Sequence, residues 1–80
     1  MAKQYLVFTL PTCSKCPGVK KFMESQNMVG KEINAASADG LEKAQEHNVM
    51  STPTVIIFNE AGEELCRGGS IEELQKCLSK

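Results

Sequence analysis

Two cysteines separated by two residues, Cys13 and Cys16, lie between a segment with a strand pattern and a segment with a helix pattern. The residues just before them, 4–9, form a nearly continuous apolar run that is typical of a strand, and after them apolar residues recur at helical spacing with lysines between them. A cysteine on such a turn lies at a helix N-terminus, where free backbone N–H groups and the helix dipole favour a thiolate over a thiol. This short stretch therefore commits the chain to a strand, a turn and a helix in succession.

The spacing of the two cysteines also favours redox chemistry. Cys16 lies about one helical turn beyond Cys13, close enough for the two sulfur atoms to form a disulfide. Lys15 adds a positive charge nearby, so we expect the pKa of the Cys13 thiol to be below that of a free cysteine. We expect Cys13 to attack a disulfide and Cys16 to resolve the mixed disulfide that forms.

The cysteine pair is also compatible with a metal site or with a structural disulfide. A zinc or iron–sulfur site would need about four ligands, and the further candidates, Cys66, Cys77 and His47, belong to no second closely spaced pair. A purely structural disulfide would close so few residues that it would remove little entropy from the unfolded chain. We predict no metal site, and we expect Cys66 and Cys77 to be packing residues, with a regulatory redox role as the alternative.

Length and charge limit the classes of function. The 80 residues allow one domain, 1–80, with one modest core. The formal net charge is −1 and no basic patch is interleaved with aromatic residues, which argues against nucleic acid and membranes as partners. Neither a signal-peptide pattern nor an apolar run long enough to span a bilayer is present. We therefore expect a cytoplasmic protein, and we expect it to be a monomer.

Predicted helices and strands alternate along the chain. In chain order they are a strand at Gln4–Thr9, a helix at Ser14–Asn27, a strand at Val29–Ala35, a helix ending at His47, strands at Val55–Phe58 and Glu63–Arg67, and a final helix. Asp39 with Glu42, and Ser70 with Glu73, have the spacing of capping boxes that would begin the second and third helices. The first two strands should be parallel because a helix connects them, and a turn at 59–62 should make the last two antiparallel.

This order of elements, with Cys-x-x-Cys after the first strand and Ser51-Thr52-Pro53-Thr54 before the third, resembles that of the thioredoxin superfamily. The resemblance covers essentially the whole chain. It implies an α/β thioredoxin fold, β-α-β-α-β-β-α, with a four-stranded mixed sheet flanked by three helices. Numbered in chain order, the strands would have the order β2-β1-β3-β4, with the first and third helices on one face of the sheet and the second on the other.

The resemblance also implies how a site would be built. Pro53 would follow a cis peptide bond and lie across from the cysteines, and the backbone of Thr52 would pair with an extended substrate. The first cysteine would be the nucleophile and the second the buried resolving thiol. Thr12 and Met50 are expected at the rim that contacts the substrate, and no cofactor is expected.

Two branches of the superfamily share features with this chain. The pattern Thr9-x-x-Thr12-Cys13 is similar to that of glutaredoxins, whereas Val49–Phe58 and the long gap from Pro53 to Gly69 are similar to thioredoxins. The small thioredoxin/glutaredoxin-like hybrids match the chain best.

The function that the resemblance implies is that of a thiol–disulfide oxidoreductase, which reduces protein disulfides and is itself re-reduced by a donor of the thioredoxin-reductase type. A glutathione-dependent glutaredoxin is the first alternative, and a non-enzymatic metal-binding or redox-sensing module is the second. Glutathione is the less expected donor for two reasons. Leu10 occupies the position of a lysine in glutaredoxins, and Glu72 and Glu73 place negative charge where a carboxylate of glutathione would dock.

Overall fold

A computed structural model describes residues 3–79 as a mixed sheet with helices on both faces. The elements are β1 (Gln4–Thr9), α1 (Cys16–Glu24), β2 (Val29–Asn34), α2 (Ala38–Glu46), β3 (Thr54–Phe58), β4 (Glu64–Gly68) and α3 (Ile71–Leu78). The sheet order is β2-β1-β3-β4, with β1 parallel to β2 and antiparallel to β3, and β3 antiparallel to β4. The expected fold and strand order are therefore confirmed.

The two inner strands carry the core because both of their faces are covered. Successive side chains of a strand point to opposite faces, and those of β1 and β3 divide into two buried groups. The larger group lies against α1 and α3 and contains Tyr5, Val7, Val19, Met23, Val55, Ile57 and Leu74. The smaller group lies against α2 and contains Phe8, Ala44 and Ile56. The first and third helices thus share one face and the second helix covers the other, as expected.

The bounds predicted for the first helix are wrong at both ends, because α1 begins at Cys16 rather than Ser14 and ends at Glu24 rather than Asn27. A helix beginning at Ser14 would need an N–H from Pro17 in its first backbone hydrogen bond, and proline has none. That bond is instead made by Val19, whose N–H donates to the carbonyl of Lys15 at 3.2 Å. At the other end, the left-handed conformation of Asn27 (φ 57°) is incompatible with a continuing helix.

The capping box predicted at Asp39 and Glu42 is also wrong. The residue that caps α2 is Ser37, whose Oγ accepts the N–H of Gly40 at 2.9 Å and donates to the carbonyl of Asn34 at 2.8 Å. Asp39 lies inside the first turn of the helix instead. The serine is favoured because it satisfies a free N–H of the helix and also closes the turn that follows β2.

Four strand ends differ from the prediction by one residue. β3 begins at Thr54 rather than Val55, and at two other ends an asparagine side chain forms a turn. β2 ends at Asn34 rather than Ala35, since Asn34 Oδ1 accepts the N–H of Ala36 at 2.9 Å. β4 begins at Glu64 rather than Glu63, since the N–H of Glu63 donates to Asn59 Oδ1 at 2.9 Å. β4 extends to Gly68 rather than Arg67.

Among residues 3–79, no helix combines the length and the apolar character needed to cross a membrane.

The expectation that Cys66 and Cys77 are unpaired packing residues is corrected by a disulfide between them. Cys66 lies on β4 and Cys77 on α3, with their Cα atoms 6.0 Å apart. The short connection 69–70 folds α3 back against β4, which brings these two positions together. Both residues also pack against the larger core group. Closing a loop with a sequence separation of 11 stabilises the fold by about 3 kcal/mol in the chain-entropy account.

Two helical glycines provide a matched test of the packing of α2. A Cβ atom added at the buried Gly40 would collide with the backbone carbonyl of Asn34, whereas one added at Gly18 would meet nothing within 4 Å. We expect Gly40→Ala to lower the free energy of unfolding by about 1 to 3 kcal/mol. Gly18→Ala should raise it by up to about 1 kcal/mol, because alanine favours a helix more than glycine does. Denaturant unfolding of both variants measures this, and equal effects would contradict the close approach of α2 to Asn34.

Candidate active site

Cys13 and Cys16 are joined by a disulfide at the end of the sheet where β1 terminates. Their Cα atoms are 5.5 Å apart, and the approach to the disulfide is a tight turn in which the Cys13 N–H donates to the carbonyl of Leu10 at 3.0 Å. This disulfide can accept two electrons and two protons to give a dithiol. The structure therefore corresponds to the oxidised form of the pair.

The two sulfur-bearing residues differ in exposure. Cys16 is the first residue of α1 and is only 4% exposed, whereas Cys13 is partly exposed. The start of α1 at Cys16 also corrects the expected position of the first cysteine, because Cys13 lies two residues before Lys15, the residue that caps the helix. An incoming thiol can thus reach Cys13 more easily than Cys16, which is the arrangement that the predicted roles require.

The peptide bond between Thr52 and Pro53 is cis, which confirms the prediction. Pro53 is buried and Thr52 is partly buried. Both residues line an open cleft together with Thr12, Cys13 and Lys15. Apart from the buried Cys16, six residues were predicted to form the site. The structure places five of them around this cleft.

Met50 is the residue that the structure leaves apart from this cleft. Its side chain is 93% exposed and it is not among the residues that line the cleft. A contact between Met50 and a substrate stays a prediction.

A charged cluster on the other side of the disulfide was missed by the sequence analysis. Lys20 Nζ lies 2.7 Å from Glu32 Oε1, and Thr9 Oγ1 donates to Glu32 Oε2 at 3.0 Å. Thr9, Lys20 and Glu32 line one pocket with both sulfur-bearing residues. The register of β1 and β2 places Glu32 beside Val7. No local pattern signals this cluster, because its members come from two strands and a helix.

Each charge of this cluster stabilises the other. The hydrogen bond from Lys20, followed by that from Thr9, lowers the pKa of the Glu32 carboxyl below its ordinary value. The same hydrogen bond to Glu32 raises the pKa of Lys20 above its ordinary value. A lowered carboxyl pKa and a raised ammonium pKa both keep the groups ionised at neutral pH. The pair therefore places two nearly cancelling charges beside the cysteines.

The N-terminal end of α3 approaches the same site. Ser70 caps the helix as predicted, since its Oγ accepts the N–H of Glu73 at 3.2 Å. Glu73 departs from the capping-box pattern, because its Oε1 accepts the N–H of Gly69 at 3.0 Å rather than that of Ser70. Gly69 lies against the proline, and a Cβ atom added there would be 3.1 Å from the Pro53 carbonyl oxygen. The helix terminus beside Pro53 is thus already bonded to a carboxylate of the chain itself.

A shallow groove continues from the cysteine motif between α1 and α3. Its lining residues are Ser14, Lys15, Gly18, Val19, Gly69, Ser70, Ile71 and Glu72. Ser14 and Lys15 also line the cleft beside Pro53, so the groove and the cleft are continuous. An extended chain that bound in the cleft could continue along this groove.

The residues named as alternative metal ligands are separated in the structure. Cys66 and Cys77 are joined to each other, and His47 contacts the rings of Phe8 and Phe58 at centroid distances of 6.2 and 5.9 Å. Within the described residues 3–79, no group of three or more His, Cys, Asp or Glu side chains is placed to hold a metal ion.

Removing either charge of the Lys20–Glu32 pair should shift the pKa of the reduced cysteines in opposite directions. Glu32→Gln leaves the Lys20 ammonium uncompensated, which stabilises a nearby thiolate and lowers the apparent thiol pKa. Lys20→Met leaves the Glu32 carboxylate uncompensated and raises it. Ultraviolet titration of thiolate in protein lacking Cys66 and Cys77 measures both shifts, which should shrink at high salt because the charges are partly exposed.

Lys21→Met is the matched control, because it removes the same charge from an exposed residue of α1 that does not line the pocket. Equal shifts for Lys20→Met and Lys21→Met would contradict a specific effect of the pair.

Comparison with known proteins places the fold in a family. Neither the protein-family models nor the curated proteins compared with the chain give a match. Among solved structures, the thioredoxin-like protein BC3987 is 31% identical, with a TM-score of 0.66, and the match covers 91% of this chain and 97% of that one. Thioredoxin O2 from Arabidopsis thaliana in its oxidised state is 14% identical, with a TM-score of 0.80 over 98% of this chain and 71% of that one.

A third similar structure is a chain of a complex between ferredoxin:thioredoxin reductase and thioredoxin f2. It is 18% identical, with a TM-score of 0.78 over 98% of this chain and 76% of that one. The similarities to thioredoxin O2 and to the chain of this complex are at low sequence identity, so they show only the fold. With BC3987 almost fully covered at 31% identity, and with the cysteine pair and the cis proline in place, the chain belongs to the thioredoxin superfamily.

Proposed function

We propose that the protein is a thiol–disulfide oxidoreductase that reduces disulfide bonds in other proteins. The observation that carries this proposal is the shared cleft in which the partly exposed Cys13 lies beside Thr52 and Pro53, with Cys16 buried behind it. An extended segment of a substrate can pair with the backbone at Thr52 while its disulfide meets the sulfur of Cys13. The open shape of the cleft favours a polypeptide over a small enclosed ligand.

The reaction begins from the reduced dithiol. The Cys13 thiolate attacks one sulfur of the substrate disulfide, so that a mixed disulfide forms and the other substrate sulfur leaves as a thiolate that takes up a proton. Cys16 then loses its proton and attacks the Cys13 sulfur. The second substrate thiol is released, two electrons have passed to the substrate, and the protein is left with the Cys13–Cys16 disulfide.

A reductase of the thioredoxin-reductase type is the donor that we propose for restoring the dithiol. Glutathione carries two carboxylates, and the α3 terminus beside Pro53 is already bonded to the Glu73 carboxylate. Glu72 adds a second negative charge at the groove. Docking of a glutathione carboxylate there would require displacing Glu73 against repulsion between like charges. A chain of the complex between ferredoxin:thioredoxin reductase and thioredoxin f2 has the same fold, and the reductase of that complex is an example of this kind of donor.

Cysteine variants and paired donors test the proposal directly. We expect the reduced protein to reduce the disulfides of a protein substrate such as insulin, and Cys13→Ser to abolish this activity. Cys16→Ser should instead accumulate mixed disulfides with the substrate, because the resolving thiol is absent. In a side-by-side assay, a thioredoxin-reductase-type donor should support turnover at least roughly tenfold faster than glutathione.

The assay has outcomes that contradict each part of the proposal. Full activity of Cys13→Ser would contradict the assigned nucleophile. Faster turnover with glutathione than with the reductase would favour the glutaredoxin alternative. Failure of the reduced protein to reduce any protein disulfide would contradict the function itself.

We expect the Glu73 carboxylate to limit the rate at which glutathione reduces the Cys13–Cys16 disulfide. Glu73→Ala removes the carboxylate that accepts the Gly69 N–H, so we expect the rate of reduction by glutathione to rise several-fold, at a cost of about 1 kcal/mol in stability from the weaker cap. Glu72→Ala is the matched control, because it removes an equal charge from the next residue without touching that N–H. Equal gains in both variants would show that net charge, rather than the bound carboxylate, limits glutathione.

A further inference from the structure

The second disulfide, between Cys66 and Cys77, has no place in the reaction described above. Neither residue lines the cleft or the groove beside the cysteine motif. Both are partly buried rather than enclosed, so a small thiol can approach them. Their Cα separation of 6.0 Å lies within the range of an ordinary disulfide.

The bond connects the end of α3 to the sheet. Cys66 is held within β4, where it lies opposite Ile57 of β3. Cys77 lies three positions after Leu74, the one fully buried residue of α3, so the two share a face of the helix. A helix of eight residues is not stable in isolation, so its order depends on such attachments. The disulfide therefore anchors α3 together with Leu74 and with Leu78, which also packs against the larger core group.

The opposite end of α3 forms a wall of the groove beside the cysteine motif. Ser70, Ile71 and Glu72 line that groove on one side and Ser14 and Lys15 on the other. Ile71 is 38% exposed, so its position follows largely from that of the helix. Because α3 is a single short helix, a change in how firmly it is attached at Cys77 can alter the position of this wall.

We propose that Cys66–Cys77 is a second redox site, a reversible clamp on α3 that controls the groove beside Cys13. A dithiol reductant attacks one sulfur of the bond, and its own second thiol resolves the mixed disulfide. Two electrons and two protons are transferred, the protein gains two thiols and the reductant becomes a disulfide. Leu74 keeps α3 near β4 in the reduced state, so a disulfide-bearing oxidant can restore the bond.

The clamp is tested in a variant that contains only this disulfide, Cys13→Ala/Cys16→Ala. Alkylation of the oxidised and reduced forms, read by mass spectrometry, reports the state of Cys66 and Cys77. On reduction, we expect amide hydrogen exchange in 71–78 to speed up at least roughly tenfold, with little change in β1 and β3, and to return to its original rate on reoxidation. Unchanged exchange in α3, exchange that rises throughout the protein, or unpaired Cys66 and Cys77 without reductant would each overturn the proposal.

The effect on the groove rests on the proposed function and is measured separately. In Cys66→Ala/Cys77→Ala, which keeps small apolar side chains at both positions, we expect kcat/KM to fall several-fold with a protein disulfide. The rate with a small disulfide reagent, which does not need the groove, should stay unchanged. Equal rates with the protein substrate would overturn control of the groove. Absence of activity in the unaltered protein would instead refute the proposed function and leave the exchange test of the clamp standing.

Discussion

The antiparallel pairing of β1 with β3 is the constraint on which the candidate site depends. Val7 lies opposite Val55 and Phe8 opposite Thr54, so the end of β1 and the beginning of β3 meet at one edge of the sheet. Burial on both faces stabilises this pairing, because apolar side chains from three helices cover the two strands. The cysteine motif follows β1 and the cis proline precedes β3. Their juxtaposition is therefore a consequence of core packing rather than of a local turn.

Pro17 decides how the two cysteines share the site. Since proline cannot donate the first backbone hydrogen bond of a helix, α1 cannot begin at Ser14, and Cys16 is its first residue. Cys16 then turns inward with the buried Val19 and Met23, while Cys13 stays in the turn before the helix. The absence of an N–H at Pro17 thus excludes the helix start at Ser14 that would have put Cys13 at the helix terminus.

Two carboxylates near the disulfide accept hydrogen bonds from within the chain. Glu32 is bonded by Lys20 and Thr9 on one side of the motif, and Glu73 is bonded by the Gly69 N–H on the other. The Lys20 ammonium neutralises Glu32, whereas the neutral Gly69 N–H leaves the negative charge of Glu73 in place, so that side of the motif repels anions. Lys15 in the cleft and Glu72 in the groove add one charge of each sign beside Cys13.

The amino-acid sequence by itself determined the element order, the strand order and the pairing of Cys13 with Cys16, because each follows from short-range apolar patterns or from a motif that resembles a known family. Tertiary structure alone decided the disulfide between Cys66 and Cys77, the cluster of Thr9, Lys20 and Glu32, and the bond from Gly69 to Glu73. The first two join residues on different elements, whose contact depends on strand register and on how a helix packs against the sheet. The start of α2 was also misjudged, because the competing caps Ser37 and Asp39 differ by single hydrogen bonds that local sequence does not rank.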